Sequence, residues 1–114
     1  WGNDVSVQGF ERGPDTDANA SFNAVSPGYF RTLGVSLRSG REFTEADRIG
    51  APKVAIVNEA FARKFGLGRD AVGKRMARGD TTVLDIEIVG VIPDTKYSEV
   101  KQEPPPMFVT PVLQ

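Results

Sequence analysis

The segment Lys53–Gly66, KVAIVNEAFARKFG, is the strongest constraint on how this chain can fold. Its first part, KVAIV, is short, β-branched and apolar on both sides, which is typical of a strand covered on both faces. A helix is predicted to follow at once, because Asn58 is a good N-cap, Phe61 and Phe65 are spaced i, i+4, and Gly66 can end the helix. A strand covered on both faces requires further elements on each side of its sheet.

Other segments predict strands on either side of this unit. Asp4–Phe10 alternates apolar and polar residues, and Ser21–Val25 alternates again as a returning strand. Near the end of the chain, Gly73–Ala77 and Val83–Ile92 flank the turn sequence Arg78–Asp80, which predicts a hairpin. The proline-rich stretch 103–112 should run extended, because proline disfavours a helix before it.

Two further helical starts are predicted between these strands. Ser26 is a candidate N-cap with Pro27 at the first helical position, so that Phe30 and Leu33 share one face and Gly34 ends the helix. The sequence TEAD, 44–47, has the spacing of a capping box and predicts one more helical turn. The resulting order β–β–α–β–α–β–β–β favours an α+β or α/β sandwich-like domain.

Length and composition limit the classes of protein to which the chain can belong. A chain of 114 residues is one domain, 1–114, and 39% hydrophobic with 25% charged residues indicates a globular protein. The net charge of −1 gives no electrostatic signal for nucleic acid. The chain contains no Cys and no His, which excludes disulfides, thiolate metal sites and histidine-based catalysis within it.

One motif, GRDAVGKR, differs from a nucleotide-binding P-loop at a single position. Gly68, Gly73 and Lys74 have the required spacing, but Arg75 replaces the Ser or Thr that binds magnesium. A P-loop also joins a strand to a helix, whereas this segment follows a predicted helix and precedes a predicted strand. We therefore interpret the motif as a turn.

The remaining residues that could bind a metal, catalyse a reaction or stack on a ligand are predicted to have structural roles instead. The segment 15–20, DTDANA, begins like a calcium loop through Asp15, Asp17 and Asn19, but Ala20 and Ser26 replace the required Gly and Glu, so we predict a solvated loop. The carboxylates that lie near one another in sequence are predicted to be solvated rather than catalytic, and they are Glu42, Glu45, Asp47, Asp85 and Glu87. Four aromatic residues are predicted to be core residues, and they are Tyr29, Phe30, Phe61 and Phe65. No catalytic residue, cofactor site or metal site is predicted.

The ordered segments SPGYF, GREF, VNEAFA, the G-K-R turn and the closing PVLQ together resemble one protein family. The run from Asn23 to Gln114 is similar to the periplasmic core domain of MacB-type ABC transporter permeases, the class that includes FtsX, LolC and LolE. The resemblance implies an α+β domain with a mixed sheet, porter-like βαβ units packed by short helices, and a C-terminal β-hairpin. The chain would be part of such a domain, because the family has more sequence at its amino end.

The resemblance also implies a function without catalysis. Such a domain lies on the periplasmic side of the bacterial inner membrane and couples membrane-helix motion to the binding of a substrate or partner during export. ATP is hydrolysed by a cytoplasmic subunit or domain that is reached through membrane helices expected on both sides of this chain. A permease homodimer and a periplasmic partner protein are further partners that the family allows, and nucleic acid is not one.

Two other classes of function stay open at this point. A free-standing ligand-binding or sensory α+β domain would use a cleft beside the Phe61 helix. A nucleotide-using or hydrolytic enzyme would require Lys74 to contact phosphate, against the interpretation of GRDAVGKR as a turn.

Overall fold

The computed structural model describes residues 2–11, 17–94 and 105–114. These residues form seven strands, which are β1 Gly2–Val7, β2 Asn19–Val25, β3 Ser39–Gly40, β4 Lys53–Asn58, β5 Arg75–Arg78, β6 Ile86–Ile92 and β7 Met107–Pro111. Two short α-helices, α1 Tyr29–Leu33 and α2 Glu59–Lys64, and one 3₁₀ turn, Gly68–Asp70, complete the regular structure. In these three ranges, no helix has the length and apolar character that a membrane span requires.

The strands form one mixed sheet in the order β3-β6-β4-β7-β2-β1-β5. β4 is parallel to β6 and antiparallel to β7, while β7 is parallel to β2. The sheet also curls on itself, because β5 pairs antiparallel with both β1 and β6. The predicted mixed sheet with few short helices is confirmed. β4 and β6 are parallel neighbours separated in sequence by α2 and β5.

The apolar core lies on both faces of β4, as the double-sided pattern of KVAIV predicted. Ala55 and Val57 face a cluster that contains Phe61, Phe65 and other buried residues. Val54 and Ile56 face a second cluster on the opposite side of the sheet, which includes Phe30 of α1. The covering layers that this strand requires are therefore α2 on one face and the α1 region on the other.

The strand–helix unit Lys53–Gly66 folds as its sequence predicts. The side chain of Asn58 accepts a hydrogen bond from the N–H of Phe61 at 2.9 Å, and Gly66 follows the helix with a left-handed φ of 66°. The rings of Phe61 and Phe65 are 4.6 Å apart between centroids. Local capping and packing thus agree with the tertiary structure here, and the prediction is confirmed.

The predicted start of the first helix is wrong. α1 begins at Tyr29 rather than Pro27, and its N-cap is Gly28 with φ of 77° and no side-chain cap. Phe30 is buried, but Leu33 is 58% exposed, so the two residues do not form one buried face. Gly34 does end the helix in the left-handed conformation, as predicted.

The helical turn predicted at TEAD is also wrong, although its capping contacts exist. The N–H of Thr44 donates to Asp47 Oδ2 at 2.8 Å and the N–H of Ala46 donates to Thr44 Oγ1 at 3.2 Å, yet no helix follows. Two strand boundaries differ as well. β1 ends at Val7 rather than at residue 10, and β6 begins at Ile86 rather than at residue 83.

The carboxyl-terminal strand is extended, as predicted, but its position in the sheet is unexpected. β7 lies between β4 and β2, at the centre of the sheet, with Phe108 and Val109 buried. The prolines are compatible with this position because Pro106 precedes the strand and Pro111 is its last residue.

Candidate interaction surfaces

The family-like segment GREF contacts α1, the helix that begins within SPGYF, through Glu42. Glu42 Oε1 accepts a hydrogen bond from the N–H of Arg31, in the first turn of α1, at 3.0 Å. Glu42 Oε2 is buried without a hydrogen-bond partner among the described residues. A carboxylate near the free N–H groups of a helix start stabilises that start, so Glu42 performs the capping that the sequence assigned to Ser26.

Arg41 and Asp47 form a bidentate ion pair beside this contact. Arg41 Nη1 and Nη2 donate to the two carboxylate oxygens of Asp47 at 2.9 and 3.0 Å. Asp47 is only 5% exposed, and these bonds, with that from the N–H of Thr44, hold its pKa below the ordinary value. The prediction of a solvated Asp47 is therefore wrong. A general acid requires a raised pKa, so this carboxyl is a structural group.

Gly40 and Gly90 bring β3 and β6 into close contact. They are direct partners in the antiparallel register. A Cβ on Gly40 would collide with Val89 O, and one on Gly90 would lie 2.8 Å from Arg41 O. Only glycine permits this approach, which fixes Arg41 and the residues after it against the sheet.

The segment GRDAVGKR is a turn, as predicted. It follows α2, passes through the 3₁₀ turn at Gly68–Asp70 and enters β5. The N–H of Gly73 donates to Ile88 O at 2.8 Å, and Lys74 O accepts from the N–H of Ile88 at 2.9 Å. The N–H of Lys74 bonds within the turn, to Ala71 O at 3.1 Å, so these two N–H groups are already bonded and do not form the phosphate cradle of a P-loop.

Among the described residues, the remaining candidates from the sequence do not come together in one site. Asp15 of the calcium-like loop falls outside the described residues, whereas Asp17 accepts a bond from the N–H of Asn19 and pairs with Lys64 at 3.1 Å. Asp85 pairs with Lys53 on the surface at 3.1 Å. In the part of the chain that the structure describes, no cluster of three or more acidic side chains could hold a metal ion.

The aromatic prediction is confirmed for three of its four residues. Phe30, Phe61 and Phe65 are at most 4% exposed. Tyr29 is 38% exposed, and its ring packs edge-on against Phe30 with centroids 5.3 Å apart. It therefore covers the core from outside and contributes to the protein surface.

The carboxyl ends of β2 and β7 carry an exposed apolar surface, which we call the strand-end surface. It contains the exposed side chains of Tyr29, Leu33, Ile49, Val112 and Leu113. Backbone bonds join Val112 to β2 and Leu113 to Ile49: the N–H of Val112 donates to Val25 O at 2.9 Å, and the N–H of Ile49 donates to Leu113 O at 2.8 Å. A cavity of about 70 Å³ between α1 and the sheet lies beside Tyr29 and Leu33.

A second surface, the arginine cleft, lies where β3, α2 and the 3₁₀ turn meet. It has a volume of about 450 Å³ and is lined by Arg38, Glu59, Ala62, Arg63, Arg69 and Val91, among others. Arg63 Nη2 donates to Asp94 Oδ2 at 2.7 Å. No sequence pattern predicted this cleft, because its three arginines lie on separate segments of the chain and no regular spacing connects them.

The segment PVLQ at the end of the chain holds the strand-end surface together. The side chain of Gln114 donates to Pro52 O at 2.7 Å and accepts from the N–H of Val54 at 3.2 Å. Together with the backbone bonds of Val112 and Leu113, these contacts join the last residues to β2, to the turn at Ile49 and to the start of β4.

Comparisons with known proteins agree with the resemblance found in the sequence. A family model described as the MacB-like periplasmic core domain matches residues 3–113. A curated relative, a probable export ATP-binding/permease protein of Pseudomonas fluorescens (strain Pf0-1), is 35% identical over 81 residues, which cover 70% of this chain and 12% of the relative.

Two solved structures share the fold. The periplasmic region of MacB from Actinobacillus actinomycetemcomitans superimposes with a TM-score of 0.60 at 20% identity, covering 96% of this chain and 46% of that one. The extracellular domain of the noncanonic ABC-type transporter YknZ from Gram-positive bacteria gives a TM-score of 0.61 at 20% identity, covering 95% of this chain and 54% of that one. The chain thus spans about half the length of these structures.

Proposed function

This chain belongs to the family of MacB-like periplasmic core domains, and from that premise we propose that it couples the motion of membrane helices to the binding of an export substrate or partner. In this proposal it is the non-catalytic, periplasmic domain of a bacterial inner-membrane ABC transporter permease. ATP is hydrolysed by a cytoplasmic subunit or domain. A second permease copy and a periplasmic protein are further proposed partners.

The hydrogen bonds of the PVLQ segment are the observation that carries this proposal. Movement of residues 112–114 would displace β2, the turn at Ile49 and β4, because all three are bonded directly to those residues. β4 lies between β6 and β7 in the sheet and contributes residues to both core clusters. A close-packed interior transmits displacement rather than absorbing it, so movement applied at this segment would reach the whole domain.

The strand directions also support a membrane on the side of the strand-end surface. β1 begins at Gly2 opposite Ser21 and runs antiparallel to β2, so its amino end is directed toward the Val25 end of β2. β7 runs parallel to β2 and ends with Pro111 opposite Val25. The amino end of β1 and the carboxyl end of β7 are therefore directed toward the same edge of the sheet, and we propose that this edge faces the membrane.

The membrane side of the domain can be tested by thiol labelling. This chain contains no Cys, so Val72→Cys introduces one exposed thiol within it. In cells that express the full-length permease, freed of any cysteines elsewhere, a membrane-impermeant maleimide should label this thiol before lysis. Labelling that occurs only after the inner membrane is opened would contradict the periplasmic location.

The coupling role can be tested with the same thiol carrying a fluorophore, in the full-length permease and its ATPase in nanodiscs. ATP should change the fluorescence, and Gln114→Ala should reduce that change because it removes the bonds to Pro52 and Val54. Gln8→Ala is the matched control, since it removes one side-chain bond to the N–H of Arg75. Coupling through the PVLQ segment would be contradicted if the fluorescence did not change while ATP is being hydrolysed. It would also be contradicted if Gln114→Ala and Gln8→Ala reduced the ATP-dependent change equally.

A further inference from the structure

We propose that the arginine cleft binds an extended, acidic peptide segment of a partner protein. The arginines would bind the side-chain carboxylates of that segment. The proposal adds a ligand class to a surface that the family membership does not assign. It depends on the proposed function only for the idea that the domain has a protein partner. The binding itself is a property of this chain.

The charged side chains of the cleft have unused hydrogen-bonding capacity. Arg38 Nε lies 3.7 Å from Glu59 Oε2, which is beyond hydrogen-bond distance. Among the described residues, neither the Arg38 nor the Arg69 side chain has a hydrogen-bond acceptor. A guanidinium presents five N–H donors in a planar fork that matches a carboxylate, so these two side chains can bind carboxylates without breaking an existing hydrogen bond.

Arg63 provides a third guanidinium group in the cleft, and its position is fixed. Its contact with Asp94 is held in turn by the backbone, because Asp94 Oδ1 accepts a hydrogen bond from the N–H of Ala60 at 2.8 Å. Glu59 is also held, since its Oε1 accepts from the N–H of Asp94 at 3.3 Å. Neither acid pairs with Arg69, which forms no ion pair with any described residue, so Arg69 adds a positive charge to the cleft that these acids do not offset.

The cleft is large enough for part of a peptide and has two small apolar residues in its lining. Ala62 and Val91, each 7% exposed, line the cleft among the arginines. A volume of about 450 Å³ is within the range of ligand-binding pockets. The guanidinium groups themselves are exposed, with the Arg38 and Arg63 side chains 63% and 60% exposed, so their attraction for carboxylates should weaken as salt is added.

The edge of the sheet explains why the occupant should be an extended segment. β3 is the first strand in the sheet order and pairs only with β6 among the described strands, and its Ser39 lines the cleft. A peptide can lie beside an edge strand in extended conformation, which would place alternate side chains toward Arg38 and Arg69.

The test is a titration of this chain into fluorescein-labelled pentaglutamate at low salt, with binding measured by fluorescence anisotropy. Pentaglutamine with the same label is the control probe, because its side chains are uncharged. Pentaglutamate should bind and pentaglutamine should not. Arg38→Ala and Arg69→Ala should each weaken binding by about three- to fivefold, as for partly exposed ion pairs, and added salt should weaken it further. Because both side chains lie at the surface, the melting temperature should stay unchanged.

Arg48→Ala is the matched control, because Arg48 is exposed, lies outside the cleft and removes the same charge. Equal weakening by Arg48→Ala would mean attraction to overall charge and would overturn the site, as would undetectable binding of pentaglutamate. Free succinate competing as strongly as the peptide would overturn a polypeptide ligand. None of these results changes the expected thiol labelling or ATP response of the full-length permease, so the two proposals fail independently.

Discussion

The unit Lys53–Gly66 and the segment Ser26–Asp47 are both family-like regions of this chain, but they are held in different ways. In the first, the cap, the aromatic pair and the terminating glycine lie within four residues of the groups that they serve. In the second, Glu42 caps a helix through Arg31, eleven residues before it, and Gly40 is placed by its contact with β6. The comparison shows that signature segments can encode contacts between segments as well as local structure.

Asn58 shows that even the local unit has a role beyond its own helix. Its Oδ1 accepts bonds from the N–H groups of Phe61 and Met107 at 2.9 and 3.0 Å, and its Nδ2 donates to Pro105 O at 2.9 Å. The side chain is 3% exposed, so these bonds satisfy a buried amide that would otherwise destabilise the fold. The sequence predicted the cap but could not reveal that the same side chain holds the start of β7.

The largest expected effect is in the local unit, at Phe61. Phe61 is fully buried and packs with Phe65 and Phe108, so Phe61→Ala should lower the free energy of unfolding by about 3–5 kcal/mol. Urea denaturation followed by circular dichroism measures it. A loss smaller than that of Gly40→Ala would mean that the segment Ser26–Asp47 contributes more to stability than the aromatic core.

Gly40→Ala and Gly66→Ala compare the two regions directly. Both glycines have positive φ, 80° and 66°, but a Cβ on Gly66 would meet nothing within 4 Å. Backbone strain should cost about 1–2 kcal/mol at either position. Gly40→Ala should cost about 1–3 kcal/mol more, because its Cβ would collide with the backbone of β6. Equal losses in parallel urea titrations would show that β3 can move away from β6.

The Arg41–Asp47 pair predicts a dependence of stability on pH. The pKa of Asp47 is lowered in the folded protein, chiefly by Arg41, so its contribution is present above the ordinary value of 3.8 and is lost as pH falls through the folded pKa. Asp47→Asn should destabilise the protein by about 1–3 kcal/mol at pH 7, since it disrupts a buried, charge-assisted contact. The difference in the free energy of unfolding between wild type and Asp47→Asn should become smaller below about pH 4.

Stability curves at pH 7, 5 and 3 measure this effect. Asp85→Asn is a suitable control, because Asp85 forms an exposed pair with Lys53 and should change stability little. A difference between wild type and Asp47→Asn that persists unchanged at pH 3 would show that the carboxylate charge is not what stabilises the segment.

The smallest effect is expected at Lys74. Its side chain has no hydrogen bond or ion pair among the described residues, so Lys74→Ala should change the free energy of unfolding by less than about 0.5 kcal/mol. The same urea titration measures it. A larger loss would show that GRDAVGKR contributes more to the fold than a surface turn does.

The sequence predicted structure correctly where the stabilising contacts join residues close together in the chain. It predicted structure wrongly where a residue contacts a partner many positions away. The strand at Lys53–Asn58, its helix and its glycine stop were all predicted, because capping and apolar periodicity act over a few residues. Ser26 was predicted as a cap because Ser-Pro is a typical helix start, but Gly28 takes that position and Glu42 supplies the acceptor. Asp47 was assigned to the surface because a carboxylate usually lies there, and its pairing with Arg41 reversed that expectation.

The sequence alone determined the double-sided strand, the helix beside it and the family, because these depend on residue order and on contacts within a few positions. The tertiary structure alone decided that β7 lies at the centre of the sheet, that Glu42 meets α1, and that Arg38, Arg63 and Arg69 surround one cleft. The physical reason is that strand register and sheet curvature set which distant residues meet. Those properties depend on the packing of the whole chain rather than on any one segment.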